Sequence, residues 1–361
     1  MEDSREPPRK RQRTGGPGTT VPSRDLQSQR QLPREAYTIG WICPLLVELS
    51  AALAMLDEEH VIPKQDAGDA NTYTVGQIHQ HSVVIACLPH LGYGTNNAAT
   101  VANNMRRSFP SIRLQLIVGI GGGIPGKADV RLGDVVVGHK VLQHDIGKLK
   151  DGILEVMGAP VEAPLEAMSA ITMMQASHRR HSRSILTVLS EVVRKSPAIM
   201  GDADKSQLQD WLYESSYEHI ESSSTCDVCD SSRRTVRPPR ISNNPVVHYG
   251  TIASGNQVLK HAQTRDRLCQ THDVLCVEME AAGLIRNSSS LVIRGICDYA
   301  DSHKSKEWQP YAAVVAAAYA REFLYFLPAR EAQTQPGMSS VLNLGKGRMT
   351  KTHTTNNYIQ K

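Results

Sequence analysis

Two apolar periods alternate along this chain. Short runs in which nearly every position is apolar and often β-branched fall at 37–43, 82–87, 114–118, 132–138, 246–254, 274–277 and 291–297. Such runs predict buried strands. A further strand at 72–75 pairs with 82–87, with the softer Gly76-Gln77 between them. Between these runs the spacing changes. Pro44 suits a first helical turn, and Leu45, Leu46, Leu49, Leu53 and Leu56 then recur at i, i+3/i+4. They predict an amphipathic helix with a buried leucine stripe. The stretch 88–99 reads as a glycine-containing turn followed by an alanine-rich helix. Helices are also expected at 185–193, at 264–272, and from Trp308 to Phe326 with Pro310 in the first turn. Glu278-Met279-Glu280 opens another alanine-rich helical pattern. Strands alternating with helices place the chain in the α/β class.

Regularity is lost over about 149–244, which is polar and rich in Ser and Arg, and this stretch is expected to be an insertion or lid. The first 35 residues hold Arg9-Lys10-Arg11-Gln12-Arg13 among Pro, Gly, Ser and Gln. They cannot bury enough apolar surface to fold and are expected to form a disordered basic tail. That tail fits nuclear import, a nucleic-acid contact or plain solvation. Residues 329–361 read as a second disordered tail, so that 36–328 forms the folded domain.

With 361 residues and 40% hydrophobic content, a sizeable core is affordable. Net charge is only +4, and with three Trp and three Phe no aromatic–basic platform emerges, which argues against a nucleic-acid protein. No apolar stretch follows the N-terminal charges, so no secretory signal is expected. The most apolar late segment, 311–327, carries Arg321 and Glu322 and is read as a buried helix, not a membrane span. Seven cysteines, mostly inside apolar runs, fit reduced thiols, and a cytoplasmic or nuclear location is expected. Cys226-Asp227-Val228-Cys229 with His219 upstream offers three metal ligands where structural zinc uses four, so no metal is expected there; a redox or incidental pair is the alternative.

Acidic residues fall where α/β sheets hold ligands, at strand ends. Asp298 and Asp301 close the strand at 291–297, and Glu278 and Glu280 follow the strand at 274–277. Glu48 lies one turn into the first helix. The same positions also suit helix N-termini and strand-end turns. Gly121-Gly122-Gly123 lets backbone approach a ligand, or makes a tight turn. It is neither a dinucleotide fingerprint nor a Walker A loop, since no helix-opening G-x-G-x-x-G and no Gly-Lys-Ser/Thr follows.

Taken together, Ile39-Gly40 with Glu48, Gly119-Ile120-Gly121-Gly122-Gly123, Leu132-Gly133-Asp134-Val135-Val136, Ile252-Ala253-Ser254-Gly255, Val277-Glu278-Met279-Glu280 and Arg294-Gly295-Ile296-Cys297-Asp298-Tyr299-Ala300-Asp301 resemble the purine and uridine phosphorylase superfamily. They look most like its methylthioadenosine/S-adenosylhomocysteine nucleosidase branch. Ile42-Cys43-Pro44-Leu45, 248–257 and 294–303 also resemble nucleosidase-like domains that are often fused to nucleotide-binding signalling or repeat domains; here no room remains for such a partner, and a stand-alone module is expected.

The resemblance implies a three-layer α/β/α fold around a mixed, partly barrel-like sheet, a homo-oligomer, no cofactor, and cleavage of the N-glycosidic bond of a purine nucleoside or nucleotide. It implies that Asp298 protonates the base at N7, that Glu280 accepts hydrogen bonds from the ribose hydroxyls with Met279 packed on the sugar, and that Glu48 activates water. Glu278, Gly121, Gly122, Ser254, Asn256 and Arg294 complete the expected substrate site, with Arg294 orienting the carboxylates. Phosphorylases of the superfamily place an arginine just before the position of Gly119, where this chain has Ile117-Val118, so hydrolysis is expected over phosphorolysis. Asn256 replaces the usual aspartate, Val258 the usual aromatic base-stacking residue, and Cys297 the usual serine. The base and 5′ substituent therefore stay open; Arg233, Arg234, Arg237 and Arg240 could reach a 5′-phosphate chain or be solvated surface. A nucleoside-binding signalling module without turnover is the competing class.

Overall fold

The computed structural model of the protein describes residues 29–150, 153–181, 185–220, 225–286 and 288–329. The basic cluster at 9–13 and most of both expected tails lie outside them. Residues 29–35, expected in the tail, are tied to the domain: Gln31 bridges Val61, and Leu32 packs against the core.

In chain order the strands are β1 (Ile39–Cys43), β2 (Glu58–Glu59), β3 (Tyr73–Ile78), β4 (His81–Cys87), β5 (Leu114–Gly123), β6 (Val135–Gln143), β7 (Gly147–Lys150), β8 (Ile153–Val156), β9 (Val161–Glu162), β10 (Val247–Ser254), β11 (Val274–Glu278) and β12 (Ser290–Asp298). The helices are α1 (Leu46–Ala54), α2 (Thr95–Ser108), α3 (Leu165–His181), α4 (Ile185–Lys195), α5 (Ala262–His272) and α6 (Gln309–Phe326). The main sheet runs β11-β10-β6-β12-β5-β1-β4-β3-β2, and β11 also pairs back onto β5. That last pairing closes β5, β12, β6, β10 and β11 into a ring, while β1 to β4 extend from it as an open sheet. Parallel pairs (β1 with β4 and β5, β12 with β5, β10 with β6 and β11) mix with antiparallel ones (β12 with β6, β11 with β5, β3 with β4).

Strand alternation sorts the core onto two faces. Ile39, Trp41 and Cys43 of β1, with Leu114, Leu116 and Val118 of β5, join one apolar cluster with α1, α3, α4 and α6. Ile42 and Ile117 point the other way, into a cluster with α2. Helix α6 is buried from Tyr311 through Leu324, because it lies on β5 and β12 and is itself covered by α1, α3 and α4. An almost continuous Ala/Val surface is what lets it be enclosed on every side.

Several local expectations change. In α1 the most buried positions are Glu48, Ala51 and Ala52, and Leu46 is 76% exposed. The helix turns its small residues to α6 and its acid to the sheet, leaving Leu49, Leu53 and Leu56 at the rim. After Glu280 there is no α-helix, only the 3-10 turn Ala281–Gly283; Gly283 packs directly on the backbone of Thr95. The triple glycine is not a turn but the end of β5, with Gly122 opposite Val277 and Gly123 opposite Cys276. Within the stretch expected as an insertion, α3 and α4 build the layer outside α6. Among the described residues from 197 to 244, the helical pieces are three-residue 3-10 turns.

Candidate functional site

The C-terminal ends of β5, β11 and β12 and the start of α1 face a cavity of about 380 Å³, within the range of small-molecule sites. Glu48, Gly121, Gly122, Glu278, Met279, Glu280 and Asp298 all line it. Residues separated by as many as 250 positions are thus brought to one wall, as the spacing of their motifs implies.

Glu48 is pinned by two backbone donors. Leu45 N–H donates to its Oε2 at 2.6 Å and Ile120 N–H to its Oε1 at 2.7 Å. Burial pushes its carboxyl up to about 8, against the opposing pull of Arg294 and the Ile120 N–H. Glu280 is also raised by burial, to about 7, with Arg294 again opposing and Glu278 adding to the rise. Arg294 is fully buried behind both. It donates to Glu278 and, at 3.3 Å, to Glu280 Oε2. Glu278 is occupied on its other side by the N–H groups of Glu280 and Ala281, at 3.1–3.2 Å. It caps the 281–283 turn and neutralises Arg294, which leaves Glu280 the freer of the two carboxylates.

Why the glycines are needed is now geometric. A Cβ on Gly119 would collide with Arg294 Nη1 and Glu48 Oε1, and one on Gly122 would stand 2.9 Å from Asp298 Oδ1. The glycines of β5 are a floor thin enough for three charged side chains to pack against it.

Asp298 is aimed by a strand irregularity. The register of β12 on β5 passes from Ile296 opposite Gly121 to Asp298 opposite Gly122, so Cys297 is an extra residue. Such a bulge re-aims the next side chain. Ala300, at φ 53°, donates its N–H to Asp298 Oδ1 at 2.8 Å, and Cys297 Sγ lies 3.3 Å from Oδ2. Lys304, which no motif in the sequence marks, joins Asp298. Its Nζ stands 3.1 Å from Asp298 Oδ1, and it lines the cavity together with Lys306. The only signal in the sequence was a cation six residues beyond Asp298, across a loop whose path a sequence does not show. Tyr93 and Gln257 also line the cavity, as does Val258.

Two expected substrate contacts, Ser254 and Asn256, lie elsewhere. Ser254 is fully buried under the 281–283 turn, where its Oγ accepts the Ala282 N–H at 2.9 Å. Asn256 joins Thr95, whose N–H donates to its Oδ1 at 3.0 Å, to Asp145, which accepts from its Nδ2 at 3.0 Å. Arg294 supports the carboxylates without reaching the cavity wall. Nor do the arginines of the irregular stretch reach it. Arg233 pairs with Glu214 at 2.8 Å, Arg237 with Asp210 at 2.8 Å and Arg240 with Asp134 at 2.7 Å, and Arg234 stacks over Trp211 at 3.7 Å. They fasten that stretch down instead of reaching a ligand.

Comparison with known proteins fits this arrangement. A model of the phosphorylase superfamily matches residues 38–324. A nucleotide-binding leucine-rich repeat-like protein of Hyaloscypha variabilis is 43% identical over 305 residues; these make up 81% of this chain, which spans only 30% of that protein's length. The 5′-methylthioadenosine/S-adenosylhomocysteine nucleosidase of Mycobacterium tuberculosis is 27% identical over 298 residues, covering 81% of this chain and 98% of the enzyme. Among solved structures, the Neisseria meningitidis nucleosidase of that name, in complex with methylthio-immucillin-A, superposes with a TM-score of 0.52 at 17% identity, over 80% of this chain and 98% of that one. That likeness shows the same fold.

Proposed function

The chain belongs to the phosphorylase superfamily, and from that premise we propose that it hydrolyses the N-glycosidic bond of a purine nucleoside or nucleotide, releasing the free base. The observation that carries this reading is the convergence of Glu48, Glu280 and Asp298 on one cavity, with Arg294 buried behind the first two.

Glu280 accepts hydrogen bonds from the ribose 2′- and 3′-hydroxyls, and Met279 packs on the sugar. Asp298 delivers a proton to N7, so the C1′–N9 bonding electrons can leave with the base. Positive charge then develops on the ribose between two carboxylates held in a buried setting, where they act most strongly. A water attacks C1′ and gives its proton to Glu48, already oriented by Leu45 and Ile120. Phosphate would have to enter beside Glu48 and Glu280, which repel it, and Arg294 is already committed to Glu278 and Glu280. Of the two described cations that line the cavity, Lys304 and Lys306, Lys304 stands beside Asp298.

Lys304 also bears on the base. An ammonium 3.1 Å from the N7-facing carboxylate favours an acceptor at C6, and so a 6-oxopurine over a 6-aminopurine. The test is a panel of adenosine, methylthioadenosine, inosine, guanosine and ATP, with free base measured by chromatography. Base release from at least one, greatest for a 6-oxopurine, is expected. The likeness to a leucine-rich repeat-like protein favours a second reading, recognition without turnover. Saturable binding of a nucleoside with no base released from any member of the panel would establish it and remove the hydrolase reading.

A further inference from the structure

The Cys226-x-x-Cys229 pair is not left with a single histidine. The fold brings His303, 74 residues beyond Cys229, onto it, so that one ligand atom from each of His219, Cys226, Cys229 and His303 lies within 4.8 Å of every other. We propose that these four side chains bind a structural zinc ion, which fastens the irregular stretch around 213–233 to the loop that follows Asp298.

The distances fit a tetrahedron. His303 Nδ1 is 3.7 Å from Cys226 Sγ and 3.9 Å from Cys229 Sγ. A tetrahedral zinc with Zn–S of about 2.3 Å and Zn–N of about 2.0–2.1 Å sets such S···N edges at about 3.6 Å. The imidazoles are already oriented. His303 donates from Nε2 to the Tyr217 carbonyl at 3.1 Å, which turns Nδ1 toward the sulfurs, and it stacks on Tyr213 with ring centres 4.0 Å apart. His219 Nε2 contacts the Thr225 carbonyl at 3.2 Å, leaving its Nδ1 for the metal. A hydrogen bond on the far nitrogen is how proteins fix ligating histidines. The two cysteines bracket the 3-10 turn Cys226–Val228, with Cys229 N–H donating to the Cys226 carbonyl at 3.1 Å.

Two thiolates and two imidazoles select zinc over the oxygen-seeking calcium and magnesium, and the two thiolates balance its charge. Binding releases two thiol protons to solvent and needs no oxidant. The stretch also needs such a staple. Its buried apolar side chains are few (Leu212, Tyr213 and Cys229), and it has no α-helix or named strand among its described residues. The metal would hold the 299–304 loop from outside, and with it Lys304. The site stands whether or not the chain turns over nucleosides.

The full chain, purified without chelator, is analysed for metal, and cobalt(II) is exchanged into it. About one zinc per chain is expected, with the ligand-field bands of tetrahedral cobalt and a thiolate-to-cobalt charge-transfer band. Zinc content should fall about tenfold in Cys226→Ser and in His303→Gln. If either variant fails to fold, wild-type stoichiometry and the cobalt spectrum decide alone. A wild-type chain without zinc that gives no charge-transfer band would overturn the proposal. So would a Cys226–Cys229 disulfide in the freshly purified chain, or a folded His303→Gln that keeps full zinc and an unchanged cobalt spectrum.

Discussion

The two ends of the cavity are built differently. At the end proposed for the sugar, Glu278 and Arg294 stand on strands, Glu280 directly follows one, and Glu48 reaches β5 from α1. Their partners are backbone N–H groups and one another, and each is buried. At the end proposed for the base, Asp298 follows a bulge, its neighbour Lys304 comes from a loop, and Val258 is 57% exposed. A rigid charged floor thus faces an adjustable wall. Under the proposed reaction the difference divides the labour: the floor would hold what a ribosyl transition state requires, and the wall would decide which base is accepted.

The largest expected effect comes from breaking the floor itself. Gly119→Ala should abolish base release and lower yield of folded protein, since its Cβ displaces Arg294 and Glu48 together; thermal unfolding and activity check both. Asp298→Asn and Glu48→Gln should each lower kcat/KM by about 10²–10⁴ in steady-state assays. They should differ in stability. Burial raises the folded carboxyl of Glu48 from 4.5 to about 8, so the folded state binds that proton more tightly. The resulting stabilisation is complete below about 4.5 and lost as pH rises through about 8. Glu48→Gln, with no charge to bury, should therefore unfold at a higher temperature than wild type at pH 8, with the gap closing near pH 5.

Glu48 and Glu280 should set the pH dependence. In the proposed reaction Glu280 must be ionised to accept from ribose, and Glu48 to accept a proton from water. With the two raised to about 7 and about 8, kcat/KM should climb between pH 6 and 8, and the limb near 8 should vanish in Glu48→Gln. A smaller effect is expected at the adjustable wall. Lys304→Met should change the ratio of 6-oxo to 6-amino purine turnover by about tenfold while leaving the fold intact. An unchanged ratio would remove Lys304 from base selection. Arg233→Ala marks the floor of the scale. Half-exposed, paired with Glu214 and Ser216 and lying over the Tyr217 ring away from the cavity, it should change kcat/KM less than about twofold.

How much of this is legible in the sequence follows from the same contrast. The strands β1, β5, β12 and helix α6 are legible because burial on both faces forces continuous apolar runs. Glu48, Glu280 and Asp298 are legible because their motifs sit at the ends of those runs. The bulge at Cys297 is not, since one extra residue in a buried strand leaves the apolar pattern unbroken. Lys304 and His303 escape notice for another reason: their roles depend on where an irregular loop returns, a long-range property. Ser254 and Asn256 mislead because a polar residue after a strand looks the same whether it meets a ligand or caps a neighbouring turn.

The central claim is that water, not phosphate, takes the ribosyl group at the floor. The most direct measurement is base release from the preferred nucleoside in rigorously phosphate-free buffer, with the sugar product identified by mass spectrometry. Free ribose, formed at a rate that added phosphate does not raise, is the predicted result. Base release that requires phosphate and yields ribose 1-phosphate would contradict it.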